Sequence, residues 1–105
     1  MDPFFYEIDI DDFPDAQFTV CINSNELDKV IANKEIVAIK CNFNCRCYTY
    51  RKPEYYICRK SSMGITNRDL INCLIENEYY PDCDHIFLEQ FCIDTESQVS
   101  PFFGS

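Results

Sequence analysis

The chain has 105 residues, 47% hydrophobic and 26% charged, a length and balance that suit one domain with a modest core and argue against wholesale disorder or a second domain. Its net charge of −9 is divided unevenly. Residues 1–28 carry eight acids and no base, residues 29–68 hold all nine Lys and Arg against only Glu35 and Glu54, and residues 69–105 again carry eight acids and no base. Such segregation implies either a basic surface with a partner or pairing between acidic flanks and a basic middle within the molecule.

No run reaches the roughly 20 apolar residues of a membrane span, and Met1-Asp2-Pro3 lacks the basic start and apolar run of a secretory signal. The expected location is therefore the cytoplasm, with no membrane partner. In that reducing setting the eight cysteines, Cys21, Cys41, Cys45, Cys47, Cys58, Cys73, Cys83 and Cys92, are expected as thiols that pack mainly as small hydrophobes.

In chain order, residues 1–15 interleave Phe4, Phe5, Tyr6, Ile8, Ile10 and Phe13 with acids, and read as an edge strand or as an acidic aromatic tail, with the domain proper over 16–105. Gln17 to Ile22 has strand composition. Asn23-Ser24-Asn25-Glu26 offers helix-capping residues for a short helix over about 25–33 that places Leu27, Val30 and Ile31 on one side. Ile36 to Asn42 is a β-branched run that predicts a buried strand. Thr66-Asn67-Arg68-Asp69 is a capping box with Asp in the usual Glu position; it starts a main helix over about 67–79 with Leu70, Ile71, Leu74 and Ile75 as its apolar stripe, and Pro81 prevents continuation. His85 to Ile93 and Gln98 to Phe103 flank Asp94-Thr95-Glu96-Ser97 and read as a hairpin. The expected fold is α+β, a small antiparallel sheet of hairpins packed on the main helix and the short one.

Between these elements Cys45 to Lys60 reads as a further hairpin, CRCYTY and YYICRK around Arg51-Lys52-Pro53-Glu54. An even loop would set Tyr50 opposite Tyr55, Cys47 opposite Cys58 and Arg46 opposite Arg59. One face then shows Arg46, Tyr48, Tyr50, Tyr55, Ile57 and Arg59, while Cys45, Cys47, Thr49, Tyr56, Cys58 and Lys60 turn toward the core. Arg46, Tyr48, Tyr50, Arg51, Lys52, Tyr55 and Arg59 form the candidate contact surface, because bases attract phosphate and rings accept stacked nucleobases or protein side chains. The overall acidity opposes nucleic acid at long range, so a protein partner or self-association is preferred over it.

Two constellations carry less weight. Cys41, Cys45, Cys47 and Cys58 have the ligand count for zinc, but only Cys41 and Cys45 have knuckle spacing, so thiol packing is preferred and no cofactor is expected, with zinc as the alternative. Cys83-Asp84-His85 joins a thiol, a carboxylate and the one histidine, yet no glycine-rich loop or anion-stabilising group accompanies them, so no enzyme is expected.

The stretches Ile65-Thr66-Asn67-Arg68-Asp69-Leu70-Ile71-Asn72 and Asp84-His85-Ile86-Phe87-Leu88-Glu89-Gln90-Phe91, with the terminal Phe102-Phe103-Gly104-Ser105, resemble small uncharacterised proteins of giant DNA viruses of the mimivirus kind. The resemblance spans about the C-terminal 40 residues, the length of one helix-plus-hairpin unit. It implies a viral protein in the host cytoplasm and brings no catalytic residues. The function expected from all of this is a non-enzymatic interaction module that binds a protein or itself through a sheet edge or the basic tyrosine-rich hairpin. A nucleic-acid-binding accessory protein and a zinc or thiol-redox protein are the alternatives.

Overall fold

Alternating apolar residues with β-branched side chains favour a pleated surface buried on one side, and Ile36–Cys41 follows that rule: Val37, Ile39 and Cys41 are fully buried while Ala38 and Lys40 face the other way. This strand lies near the middle of the sheet. The computed structural model describes residues 13–41, 52–81 and 85–104. Its elements are β1 (Thr19–Val20), a single 3-10 turn (Ser24–Glu26), β2 (Val30–Ala32), β3 (Ile36–Cys41), β4 (Glu54–Arg59), β5 (Ile65–Thr66), α1 (Asn67–Glu76), β6 (Phe87–Thr95) and β7 (Gln98–Gly104).

The fold is α+β, but its main sheet is mixed rather than antiparallel. Five strands run in the order β1-β6-β7-β3-β4, and β2 pairs with β5 in a separate two-stranded ribbon. β6 and β7 form the expected antiparallel hairpin, and β3 pairs antiparallel with β4. The pairs β1–β6 and β3–β7 are parallel. Parallel pairing joins strands distant in sequence, so no local hairpin signal announces it.

The short helix expected over 25–33 is absent: after the 3-10 turn the chain extends into β2, where Val30 pairs with Thr66 and Ala32 with Ile65. Asn23 makes no side-chain capping bond, and β-branched Val30 and Ile31 take a strand partner instead of a helical turn. Phe13, expected in the N-terminal segment, is buried in the core beneath the Arg68 guanidinium, 5.8 Å from its ring centre.

α1 begins as its capping box dictates. The Asp69 N–H donates to Thr66 Oγ1 at 3.2 Å, and the Thr66 N–H donates to Asp69 Oδ2 at 2.9 Å. Leu70, Ile71, Cys73 and Leu74 are buried, and the helix packs on β4 and β5. It ends at Glu76, three residues short of the expected 79. The Glu78 N–H donates to the Ile75 carbonyl and the Tyr79 N–H to the Leu74 carbonyl, the paired bonds of a Schellman ending. Glu78 takes the left-handed conformation such an ending requires, at φ 54°. The turn delivers Tyr79 into an aromatic cluster: its ring centre lies 5.8 Å from Tyr56, 5.8 Å from Phe103 and 6.4 Å from Phe18.

A left-handed glutamate carries strain that glycine lacks. Glu78→Gly is expected to stabilise the protein by about 0.5–1 kcal/mol, read as a higher urea midpoint at unchanged slope. A lower midpoint would show that the ending tolerates Glu without strain.

Candidate functional site

The expected pairing of residues 55–59 with residues 46–50 lies outside the described residues. Among the described residues β4 pairs with β3: Lys40 opposes Tyr55, Val37 opposes Cys58 and Ile36 opposes Arg59. β3 supplies a β-branched partner with its apolar side already on the core. Arg46, Tyr48, Tyr50 and Arg51 lie outside the described residues, as do Cys45 and Cys47. Lys52, Tyr55 and Arg59 are exposed.

Along β4 the two faces separate as alternation demands. Cys58 is buried and Tyr56 half-buried on the helix-covered side, whereas Tyr55 is 55% and Ile57 49% exposed on the other. Cross-strand neighbours extend that open face, since Ala38 opposes both Ile57 and Gln98, Ile36 opposes Arg59, and Phe102 opposes Gln90. Ile36 and Phe102 are 45% and 49% exposed. The face therefore combines apolar side chains with Lys40 and Arg59.

Charge segregation resolves partly into internal pairing. Each described ion pair joins a base of the middle to an acid of a flank: Lys29 to Glu26 at 2.9 Å, Arg68 to Asp28 at 2.8 Å, Lys60 to Asp69 at 2.9 Å and Lys34 to Glu96 at 3.9 Å. Most are surface contacts of small energetic weight. Lys60 differs, because its ammonium also donates to the Gly64 carbonyl at 3.0 Å and so ties the end of β4 to the first turn of α1.

β4 has a second property, its position at the rim of the sheet. The Lys60 N–H donates inward to the Glu35 carbonyl at 2.8 Å, and strand alternation then turns the N–H and C=O groups of Tyr55, Ile57 and Arg59 outward. Among the described residues no strand is placed against that edge. Between the edge and α1 lies a groove of about 340 Å³, floored by Cys58 and Cys73 and flanked by Ile57, Arg59, Asn72 and Glu76.

The remaining thiols and the histidine are placed as follows. Cys41 is buried, and loss of hydration pushes its thiol up to about 12, with the Glu54 charge adding to the effect. Cys41 opposes Glu54 and Cys58 opposes Val37, four positions apart and about 13 Å along the strands. That is far more than two zinc–sulfur bonds of about 2.3 Å can span, so this register does not bring the two together. Among the described residues no group of three or more His, Cys, Asp or Glu is placed to hold a metal. His85 is half-buried, while Cys83 and Asp84 lie outside the described residues. No described helix is long and apolar enough to cross a membrane. No protein family, curated protein or solved structure matches the chain.

The convergence of Cys58 and Cys73 on one groove is the site feature that sequence reasoning missed. Cys73 falls within the helix and reads there as one more apolar position, and only the docking of α1 on β4 brings it to the groove beside Cys58.

Desolvation raises the Asp69 carboxyl, but the Thr66 N–H, the Lys60 ammonium and the Thr66 hydroxyl outweigh it and hold the group below its ordinary value of 3.8. A depressed carboxyl stabilises the fold above its unfolded value, and that contribution is lost as pH falls through the folded one. Asp69→Asn should cost roughly 1–2 kcal/mol at neutral pH, shrinking toward zero in acid below 3.8, in urea titrations across pH. A cost that stays constant into acid would rule out the charged role.

Proposed function

We propose that the chain is a non-enzymatic interaction module that self-associates through the edge of β4. The observation that carries this reading is the contrast between the two rims of the sheet. β1 closes one rim with only two residues, too short to template another strand, whereas β4 offers six with no proline inside it. Open among the described residues, an edge of that length is a ready site for strand addition.

A second copy is the occupant because β4 is complementary to itself. An antiparallel pairing about a two-fold axis at Ile57 sets Ile57 against its own copy and Tyr55 against Arg59 of the partner, and all three residues have outward backbone groups. Each subunit then gains reciprocal hydrogen bonds, an apolar contact at the axis and a cation–π contact on either side. The Ile57 carbonyl already accepts from Cys73 Sγ at 3.5 Å, and its second lone pair serves the partner strand. Two five-stranded sheets would join into one of ten strands, with both helices on one side and the open apolar face continuous on the other. The resemblance to small giant-virus proteins suits a module of this kind and adds no chemistry to it.

Sedimentation equilibrium of the full chain tests the reading. Wild-type protein is expected to dimerise, and Ile57→Lys, which sets two ammonium groups opposite each other at the axis, to weaken the dimer more than about 100-fold with little change in monomer stability, Ile57 being half exposed. A monomeric wild type at high concentration would refute it. So would salt-sensitive binding of labelled single-stranded RNA by that monomer, which would assign the Lys40, Tyr55 and Arg59 face to nucleic acid instead.

A further inference from the structure

The loop from β4 to β5 exposes Ser61, Ser62 and Met63 in succession. Backbone bonds hold it at both ends: the Lys60 N–H donates to the Glu35 carbonyl at 2.8 Å and the Gly64 N–H to the Lys34 carbonyl at 3.2 Å. Between those fixed points the three residues arch away from the body. Gly64 closes the arch at φ 109°, a conformation that glycine adopts without a side-chain clash. Among the described residues neither serine hydroxyl has a partner, and no acid pairs with the exposed Arg59.

The sequence entering the loop is Arg59-Lys60-Ser61-Ser62, and no other Ser or Thr of the chain follows within three residues of two adjacent bases. Protein kinases that select basic substrates place carboxylates where the residues ahead of the acceptor lie, and an arginine three positions ahead of the acceptor suits that arrangement. Arg59 stands in that place for Ser62, and only two positions ahead of Ser61. From the exposed loop, its free hydroxyl and the free guanidinium before it, we infer that Ser62 is a phosphorylation site for an arginine-directed serine kinase, with Arg59 as the residue the kinase reads.

The transfer balances with ATP as the donor. Ser62 Oγ attacks the γ-phosphorus, an O–P bond forms, and the bond from that phosphorus to the oxygen bridging the β- and γ-phosphates breaks. ADP leaves with the bridging oxygen, and the hydroxyl proton passes to a carboxylate of the kinase and on to solvent.

The fold also provides for the product. The Lys60 ammonium sits at the end of the loop, where it donates to the Gly64 carbonyl at 3.0 Å and to Asp69 Oδ2 at 2.9 Å. An ammonium has three N–H donors, and the third serves a phosphate carried two residues before Gly64 without loss of the other two bonds. The charge of about −1.5 to −2 on phosphoserine then offsets the positive charges of Arg59 and Lys60.

The site stands independently of the proposed dimer, although that dimer engages Arg59. The test therefore treats dilute wild type and Ile57→Lys alike: each full-length protein is incubated with ATP and the catalytic subunit of a cyclic-AMP-dependent kinase, and phosphate is mapped by mass spectrometry. Circular dichroism establishes that each variant is folded, and dilute wild type decides alone if Ile57→Lys is not. Phosphate on Ser62 is expected, and Ser62→Ala should abolish it. Arg59→Ala, a change at an exposed side chain, should slow incorporation at least about tenfold. Phosphorus NMR across pH should place the second ionisation of the product below its ordinary value of about 6, the effect of the nearby ammonium. No phosphate on Ser62, or phosphate on Ser61 in its place, would overturn the site. An unchanged rate in Arg59→Ala would overturn the part given to Arg59, and an unshifted ionisation the part given to Lys60.

Discussion

Among the described residues one short helix covers a five-stranded sheet, and much of the surface described above follows from that shortage. The ten residues of α1 span about 15 Å, while five strands spread over roughly 19 Å, so a single helix covers only part of one face and none of the other. On the covered side Val37, Ile39, Leu88 and Val99 are buried in one core cluster with Leu70 and Leu74. On the other side Ile36, Tyr55, Ile57 and Phe102 are exposed, the apolar face that the proposed dimer extends.

The placement of α1 over β4 also produces the groove lined by Cys58 and Cys73. Asp69 is the pivot: its carboxylate caps the helix, accepts from the Lys60 ammonium at the end of β4, and its backbone carbonyl lies beside Cys58. The aromatic cluster around Tyr79 fixes the other end of the helix against β4 and β7. Held at both ends, helix and edge strand form one rigid wall pair. This gives the outward groups of β4 a fixed geometry for another strand.

Features set by neighbouring residues were legible in the sequence. The Thr66–Asp69 box, the β6–β7 hairpin, the β3 run and the in-out alternation of β4 all depend on side chains within a few positions of one another. What was not legible depended on distant partners. The alternation of β4 specifies its faces but does not announce β3 as a partner. The parallel pairs and the convergence of Cys58 and Cys73 on one groove carry no local signal. The helix end was misplaced for a different reason: Glu78 occupies a left-handed position where glycine is the usual marker, and Pro81 gave the nearest visible stop. Val30 and Ile31 followed β-propensity into a ribbon with β5, against the helical spacing that Leu27 suggested.

The pairing of β4 with its own copy is tested most directly by amide hydrogen exchange at Tyr55, Ile57 and Arg59, whose N–H groups point out of the sheet edge. Dimerisation through β4 predicts that these three amides become slow to exchange as protein concentration rises, while those of Tyr56 and Cys58, bonded inward to β3, remain slow throughout. Rapid exchange at all three outward amides at concentrations where the protein is dimeric would place the interface elsewhere and contradict the account.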